Sequence, residues 1–134
     1  MKDEARSGAV LYAKDVDRVV SFYSAVLDVR PAKRDDDYVV LESLGCQLVV
    51  LHVPHDIAST IAIDVPPTRR ATAAIKLVLF VPSIARVRAS AGAVGGVVNP
   101  TETEWSFQGV KVCDALDPEG NVIQFREMNG RTDR

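Results

Sequence analysis

The sequence predicts an α+β fold made of two copies of a β-α-β-β-β unit. Three observations carry that expectation. Strand-like and helix-like segments follow one another in the same order twice along the chain. Setting Asp15 over Ser83, an offset of 68, lays Val10, Leu11 and Tyr12 over Val78, Leu79 and Phe80. The same offset lays Val16, Arg18 and Val19 over Ile84, Arg86 and Val87. Identity between the halves is thin, but residue types agree through strand and helix, as a duplicated unit requires.

In the first half, β-compatible apolar residues run from Gly8 to Ala13. Asp15 then offers a helix N-cap, and Val16, Val19, Val20, Tyr23 and Leu27 recur at helical spacing. A helix is predicted over 15–27, with Pro31 ending any continuation. Tyr38 to Glu42 and Gln47 to Val53 read as strands joined by a Ser43-Leu44-Gly45 turn. In the second half, Ile75 to Val81 is a strand. Pro82-Ser83 opens a helix that Ile84, Val87 and Ala91 continue and Gly92 stops. Val97-Val98, Gly109 to Leu116 and Asn121 to Glu127 are the remaining strands. Asp117-Pro118-Glu119-Gly120 is a turn in which Pro presets φ and Gly supplies a positive φ. Pro54, Pro66 and Pro67 mark a connecting loop, with Ile57 to Val65 a strand or a short turn of helix.

A chain of 134 residues is one ordinary domain. With 47% hydrophobic and 25% charged residues it has enough apolar surface to offset the entropy of ordering, which excludes wholesale disorder. Sixteen basic against eighteen acidic residues, a net charge of −2, lack the basic surplus of a nucleic-acid binder, and Arg69-Arg70 is too short a run to supply one. The first six residues are polar, and no apolar run approaches the ~20 residues needed to span a bilayer. The expectation is a cytoplasmic protein without membrane or nucleic-acid partners, frayed over its first six residues and over 129–134. Cys46 and Cys113 stand alone in strand-like segments without a CxxC cluster, so a structural zinc site has no support. They read as reduced apolar thiols, although one disulfide between them is arithmetically open.

Asp15-Val16-Asp17-Arg18, Ser21-Phe22-Tyr23 and Val26-Leu27, with Asp117-Pro118-Glu119-Gly120-Asn121-Val122-Ile123 in the second half, are similar to two signatures of the vicinal-oxygen-chelate superfamily. That superfamily includes glyoxalase I, extradiol dioxygenases and the fosfomycin- and bleomycin-resistance proteins. The likeness spans 8–127, and Asp28 stands where the family usually has Gly. The resemblance implies a single glyoxalase-like domain over 1–134, composed of a module at 8–53, a connector at 54–73 and a module at 74–127. Two βαβββ modules would form an open, cup-like mixed sheet with helices outside and a ligand in the cup. The resemblance also implies a homodimer, the commonest soluble oligomer in any case.

Strand alternation then assigns faces. Ala9, Leu11 and Ala13, with Leu77, Leu79 and Val81, are placed under the helices; Gly8, Val10 and Tyr12, with Lys76, Val78 and Phe80, point into the cup. In the last strands, Val49, Leu51, Ile123 and Phe125 are placed under the helices, and Leu48, Val50, His52, Val122, Gln124 and Arg126 in the cup.

Most enzymes of the superfamily hold a divalent metal with His, Glu or Gln from the first and last strands of the two modules. Carried over, those positions fall on Gly8, on or near Val50, on Lys76 and on Gln124. Gly and Val offer no donor, and a protonated Lys has no lone pair. Gln124 offers one neutral oxygen, whereas transition ions need several donors. No metal and no cofactor are therefore expected. His52 with Glu42 or Gln124 is the one improvised ligand set left, and His55 belongs to an exposed loop.

The cup can still take an organic molecule. Tyr12, Phe80, Trp105 and Phe107 offer ring faces, Lys76, Arg126 and Glu42 can fix polar ends, and Val50, His52 and Gln124 complete the lining. Trp105 is the strongest candidate, because it follows the polar stretch Thr101-Glu102-Thr103-Glu104, where no core requires it. Two functions compete. One is metal-free sequestration of an aromatic or amphipathic small molecule, as in the bleomycin-resistance branch. The other is a glyoxalase-like lyase, isomerase or dioxygenase, using either a metal on non-standard ligands or Glu42, His52 or Tyr12 as a base. Binding is preferred, because no catalytic residue can be assigned and nothing in the sequence brings two catalytic groups together. A third reading has the cup filled by the protein's own side chains.

Overall fold

In the computed structural model of the chain, which describes residues 6–43 and 45–128, each half begins its helix in the same way. Asp15 accepts the Arg18 N–H at 3.1 Å, and Ser83 accepts the Arg86 N–H at 3.2 Å. Each cap satisfies one of the donors that a helix start leaves open. The two caps stand at the offset that aligned the sequences, so the duplication is visible at the level of single hydrogen bonds. The chain divides into two compact units, Met1–Ala62 and Ile63–Arg134.

In the first unit, strand β1 (Ser7–Ala13) leads to helix α1 (Val16–Leu27), followed by β2 (Pro31–Arg34), β3 (Tyr38–Ser43), β4 (Cys46–His52) and a short helix α2 (His55–Ala58). The sheet order is β1-β4-β3-β2, with β1 parallel to β4 and the other pairs antiparallel. Helix α1 buries Val19, Val20, Phe22, Tyr23 and Val26 and packs against β3 and β4. It ends at Asp28, which takes up left-handed geometry (φ 55°, ψ 51°) and donates its N–H to the Ser24 carbonyl. Pro31 therefore does not terminate the helix. It opens β2, an exposed edge strand that sequence patterning did not mark, and the first residue of a strand tolerates the missing N–H.

The register corrects one face assignment. Ala9, Leu11 and Ala13 lie beside Leu48, Val50 and His52, and Val39 and Leu41 lie beside Val50 and Leu48. Val39, Leu41, Leu48 and Val50 are almost fully buried. Leu48, Val50 and His52 thus belong to the helix-covered face, and Val49 and Leu51 to the open one, the reverse of the expectation. A shift of one residue turns every side chain of a strand over, and the unbroken apolar run Leu48-Val49-Val50-Leu51 carries no alternation to fix its parity.

In the second unit, β5 (Leu77–Val81) leads to helix α3 (Ile84–Ala91), then β6 (Val97–Val98), β7 (Trp105–Phe107), β8 (Val110–Leu116) and β9 (Val122–Glu127). The order is β5-β9-β8-β6, with β5 parallel to β9 and β7 paired to β8. Here the predicted faces hold. Leu77 and Leu79 lie beside Ile123 and Phe125, whereas Val78 and Phe80 lie beside Gln124 and Arg126. Helix α3 buries Ile84, Val87 and Ala91, and Glu127 accepts the Ile84 N–H at 2.9 Å. Gly92 does not stop the chain's coiling: it keeps right-handed geometry (φ −61°) and begins a 3-10 turn over Gly92–Val94. Gly95, at φ 85°, ends it.

The Asp117–Asn121 turn is built by one carboxylate. Asp117 accepts the N–H groups of Glu119 (2.9 Å) and Asn121 (3.0 Å) and the Asn121 side-chain amide (2.8 Å). Gly120 sits at φ 82°, and its carbonyl accepts the Arg70 N–H at 3.0 Å. The turn therefore holds the later part of the 54–73 connector. The earlier part contains α2 and a bond from the Lys14 ammonium to the Ile61 carbonyl, and Ile57 to Val65 holds no strand. Gly45 turns at φ 74° as expected; of the first six residues, expected to fray, Arg6 pairs with Glu42, whereas 1–5, Leu44 and 129–134 lie outside the described residues.

Candidate functional site

On the open face of the second sheet, side chains of β8 and β9 form one polar chain with Lys76, the residue just before β5. Lys76 donates to Asp114 at 2.9 Å. Asp114, beside Gln124 across β8 and β9, accepts from the Gln124 amide nitrogen at 3.1 Å. The Gln124 oxygen in turn accepts the Arg126 Nε–H at 2.8 Å. A carboxylate can only accept and a guanidinium can only donate, so the Gln124 amide has one orientation that satisfies both neighbours.

Aromatic rings surround the end of that chain. The Arg126 guanidinium lies 4.8 Å from the Phe107 ring centroid and 5.9 Å from that of Phe80, contacts worth about 0.5–1 kcal/mol each where water has access. Phe80 is 55% exposed, Phe107 45% and Trp105 42%. Trp105 and Phe107 sit beside Val112 and Val110, on the same face as Asp114 and Arg126. The β7–β8 hairpin turns through Gln108 and Gly109, both at positive φ, as a type I′ turn requires. The chain entering β7 is held from the other face. Arg88 on α3 pairs with Glu104 and donates to the Asn99 carbonyl at 3.1 Å, and Cys113 donates to the same carbonyl at 3.4 Å.

Of the ten residues the sequence put forward, Lys76, Phe80, Trp105, Phe107, Gln124 and Arg126 share this face. Tyr12 and Glu42 lie on the open face of the first sheet, Tyr12 beside Leu51 and Glu42 beside Gln47. Gln47 donates to Glu42 at 2.9 Å, and Arg6 pairs with the other carboxylate oxygen. The Gln47 hydrogen bond, aided by the Arg6 charge and opposed by desolvation, holds the Glu42 pKa below its ordinary value. Val50 is excluded from any open lining, because it is fully buried under α1. His52 is half-buried on the helix-covered side, its Nδ1 against the Val53 carbonyl and its ring 4.7 Å from that of the exposed His55. Asp114, the centre of the polar chain, was not singled out by sequence. Its signal was a lone carboxylate inside an apolar strand, at the parity of Val112. Both cysteines are unbridged, and burial pushes the Cys46 thiol pKa up.

A sequence profile described as a glyoxalase-like domain matches residues 8–125. The chain belongs to the glyoxalase-like domain family. Solved structures with the same fold include a glyoxalase/bleomycin resistance protein/dioxygenase family enzyme from Burkholderia phytofirmans PsJN, 14% identical over 94% of this chain and 100% of that one, with a TM-score of 0.69. A glyoxalase/bleomycin resistance protein from Albidiferax ferrireducens T118 is 16% identical over 91% and 97%, at 0.65. A glyoxalase-related enzyme from Fulvimarina pelagi is 16% identical over 96% and 89%, at 0.63. At such identities the likeness establishes the glyoxalase/bleomycin-resistance fold, of mixed α+β type with open sheets. No curated protein sequence matches the chain. Among the described residues no helix is long and apolar enough to cross a membrane.

The family's divalent metal does not fit the residues this glyoxalase-like chain presents. Gly8 lies beside Gln47, whose amide nitrogen is turned to Glu42. In the second unit Lys76 is tied to Asp114, and the Gln124 oxygen is taken by Arg126. Among the described residues no three His, Cys, Asp or Glu side chains come together to hold an ion.

Proposed function

We propose that this glyoxalase-like protein binds a small aromatic or amphipathic molecule without a metal, on the open face of its second sheet. The observation that carries the reading is a pair of exposed rings, Phe80 and Phe107, about one ordered guanidinium, with exposed Trp105 on the same face beside Val112. Large rings left about half exposed on a sheet face supply the apolar area and stacking faces on which ligand sites are built. The polar chain from Lys76 to Arg126 supplies orientation without a nucleophile or a paired acid and base. The protein acts as a cytoplasmic homodimer in this reading, in keeping with the symmetric pairing usual among soluble oligomers.

A fluorescence titration tests it. Trp105 is the only tryptophan in the chain, so a ligand seated on this face changes the intrinsic emission directly. Saturable emission changes with small aromatic compounds, lost in Phe107→Ala, are expected, and calorimetry should show the binding heat lost in Trp105→Ala. Elemental analysis of the purified protein showing one tightly held Fe, Mn, Ni or Zn per chain would overturn the reading in favour of a metal-dependent lyase, isomerase or dioxygenase.

A further inference from the structure

We infer that the ligand of this face is a monocarboxylate with an apolar, ring-bearing body, its carboxylate seated in the fork of Arg126. The inference rests on the binding reading above and specifies its chemistry. Four observations lead to it.

Arg126 is fixed before any ligand arrives. Its Nε–H is committed to the Gln124 oxygen at 2.8 Å, and Gln124 is itself held by Asp114 at 3.1 Å. Its guanidinium carbon lies over the Phe107 and Phe80 rings. A guanidinium carries five N–H donors, and fixing Nε leaves those of the two terminal nitrogens. Among the described residues, no carboxylate lies within ion-pair distance of them. A rigid fork of that kind matches a carboxylate bidentately, and little side-chain freedom remains to be lost on binding.

The charge count selects a monoanion. Lys76 and Asp114 neutralise each other at 2.9 Å, and Gln124 is neutral. Among the described residues one positive charge, that of Arg126, is left on the face. The exposed rings of Phe80 and Phe107 flank it, with Trp105 on the same face, so the apolar body of the ligand has its partner beside the charged group. A dianion such as a phosphate monoester would meet only one uncompensated cation here.

The test compares 3-phenylpropionate with 3-phenylpropionamide, which keep one shape and differ in charge. Binding is followed by Trp105 emission and by calorimetry. The wild type is expected to bind the acid at least about tenfold more tightly than the amide. Arg126→Met keeps an apolar stem and should reduce the acid to the level of the amide. Retained amide binding shows that the variant is folded. Arg126→Lys keeps the charge and loses the fork, so part of the preference should survive. Equal binding of acid and amide to the wild type would overturn the carboxylate inference and leave the small-molecule reading standing. A preference that persists in Arg126→Met would also overturn it, because the anion then sits elsewhere. Binding of neither probe would overturn both.

Discussion

A β-carbon placed on Gly120 would stand 2.1 Å from the carbonyl oxygen of Thr68. Gly120 also sits at φ 82°, so two costs coincide there. Gly120→Ala is expected to lower stability by about 2–4 kcal/mol, from left-handed strain together with displacement of the connector backbone. Gly45 has a similar φ of 74° but nothing among the described residues within 4 Å of an added β-carbon. Gly45→Ala should cost only about 1 kcal/mol. Urea unfolding of both variants separates strain from collision.

Asp28 ends α1 in left-handed geometry, φ 55° and ψ 51°. Glycine reaches that region without a β-carbon penalty. Asp28→Gly should raise stability by about 0.5–1 kcal/mol, read as a higher urea midpoint with an unchanged m-value.

Gln108 occupies the first central position of the β7–β8 hairpin at φ 51°. Asn before Gly is the favoured pair for a type I′ turn. Gln108→Asn should stabilise the protein by about 0.5 kcal/mol. The hairpin carries Trp105 and Phe107, so slower amide exchange in 105–110 is the matching local readout.

Within α1, the Ser24 hydroxyl is buried and has no hydrogen-bond partner among the described residues. Ser24→Ala removes a desolvated polar group and improves helix propensity. Thermal unfolding should show a gain of about 0.5–1 kcal/mol.

Glu42 has its pKa held below the ordinary 4.5, chiefly by the Gln47 hydrogen bond, with the Arg6 charge adding and desolvation opposing. A depressed carboxyl pKa contributes stability that is present above the unfolded value and is lost as pH falls through the folded one. The stability difference between wild type and Glu42→Gln should therefore shrink on acidification below the unfolded value. Carbon-detected NMR titration of the Glu42 carboxyl should give a midpoint under 4.5.

Legibility in the sequence followed polarity contrast. Ile123-Gln124-Phe125-Arg126 alternates, so the faces of β9 were readable, and six of the ten proposed residues fall together on the second sheet. Leu48-Val49-Val50-Leu51 does not alternate, and there Val50 and His52 were placed on the wrong side. The N-caps Asp15 and Ser83 were readable because a polar residue before an apolar helix has few other uses. The end of α3 was not, since two glycines, Gly92 and Gly95, compete within four residues and only the backbone angle separates them. Edge strand β2 is exposed throughout and left no apolar trace. Asp114 shows its role only when the register sets it beside Gln124.

The stretch from Asp117 to Asn121 spends its carboxylate on its own backbone and its glycine on a neighbouring strap of chain. The letters by which this polypeptide is most readily sorted among its kin thus spell a clasp. Sorting by them transmits scaffolding and stays silent on the polar chain of Asp114, Gln124 and Arg126.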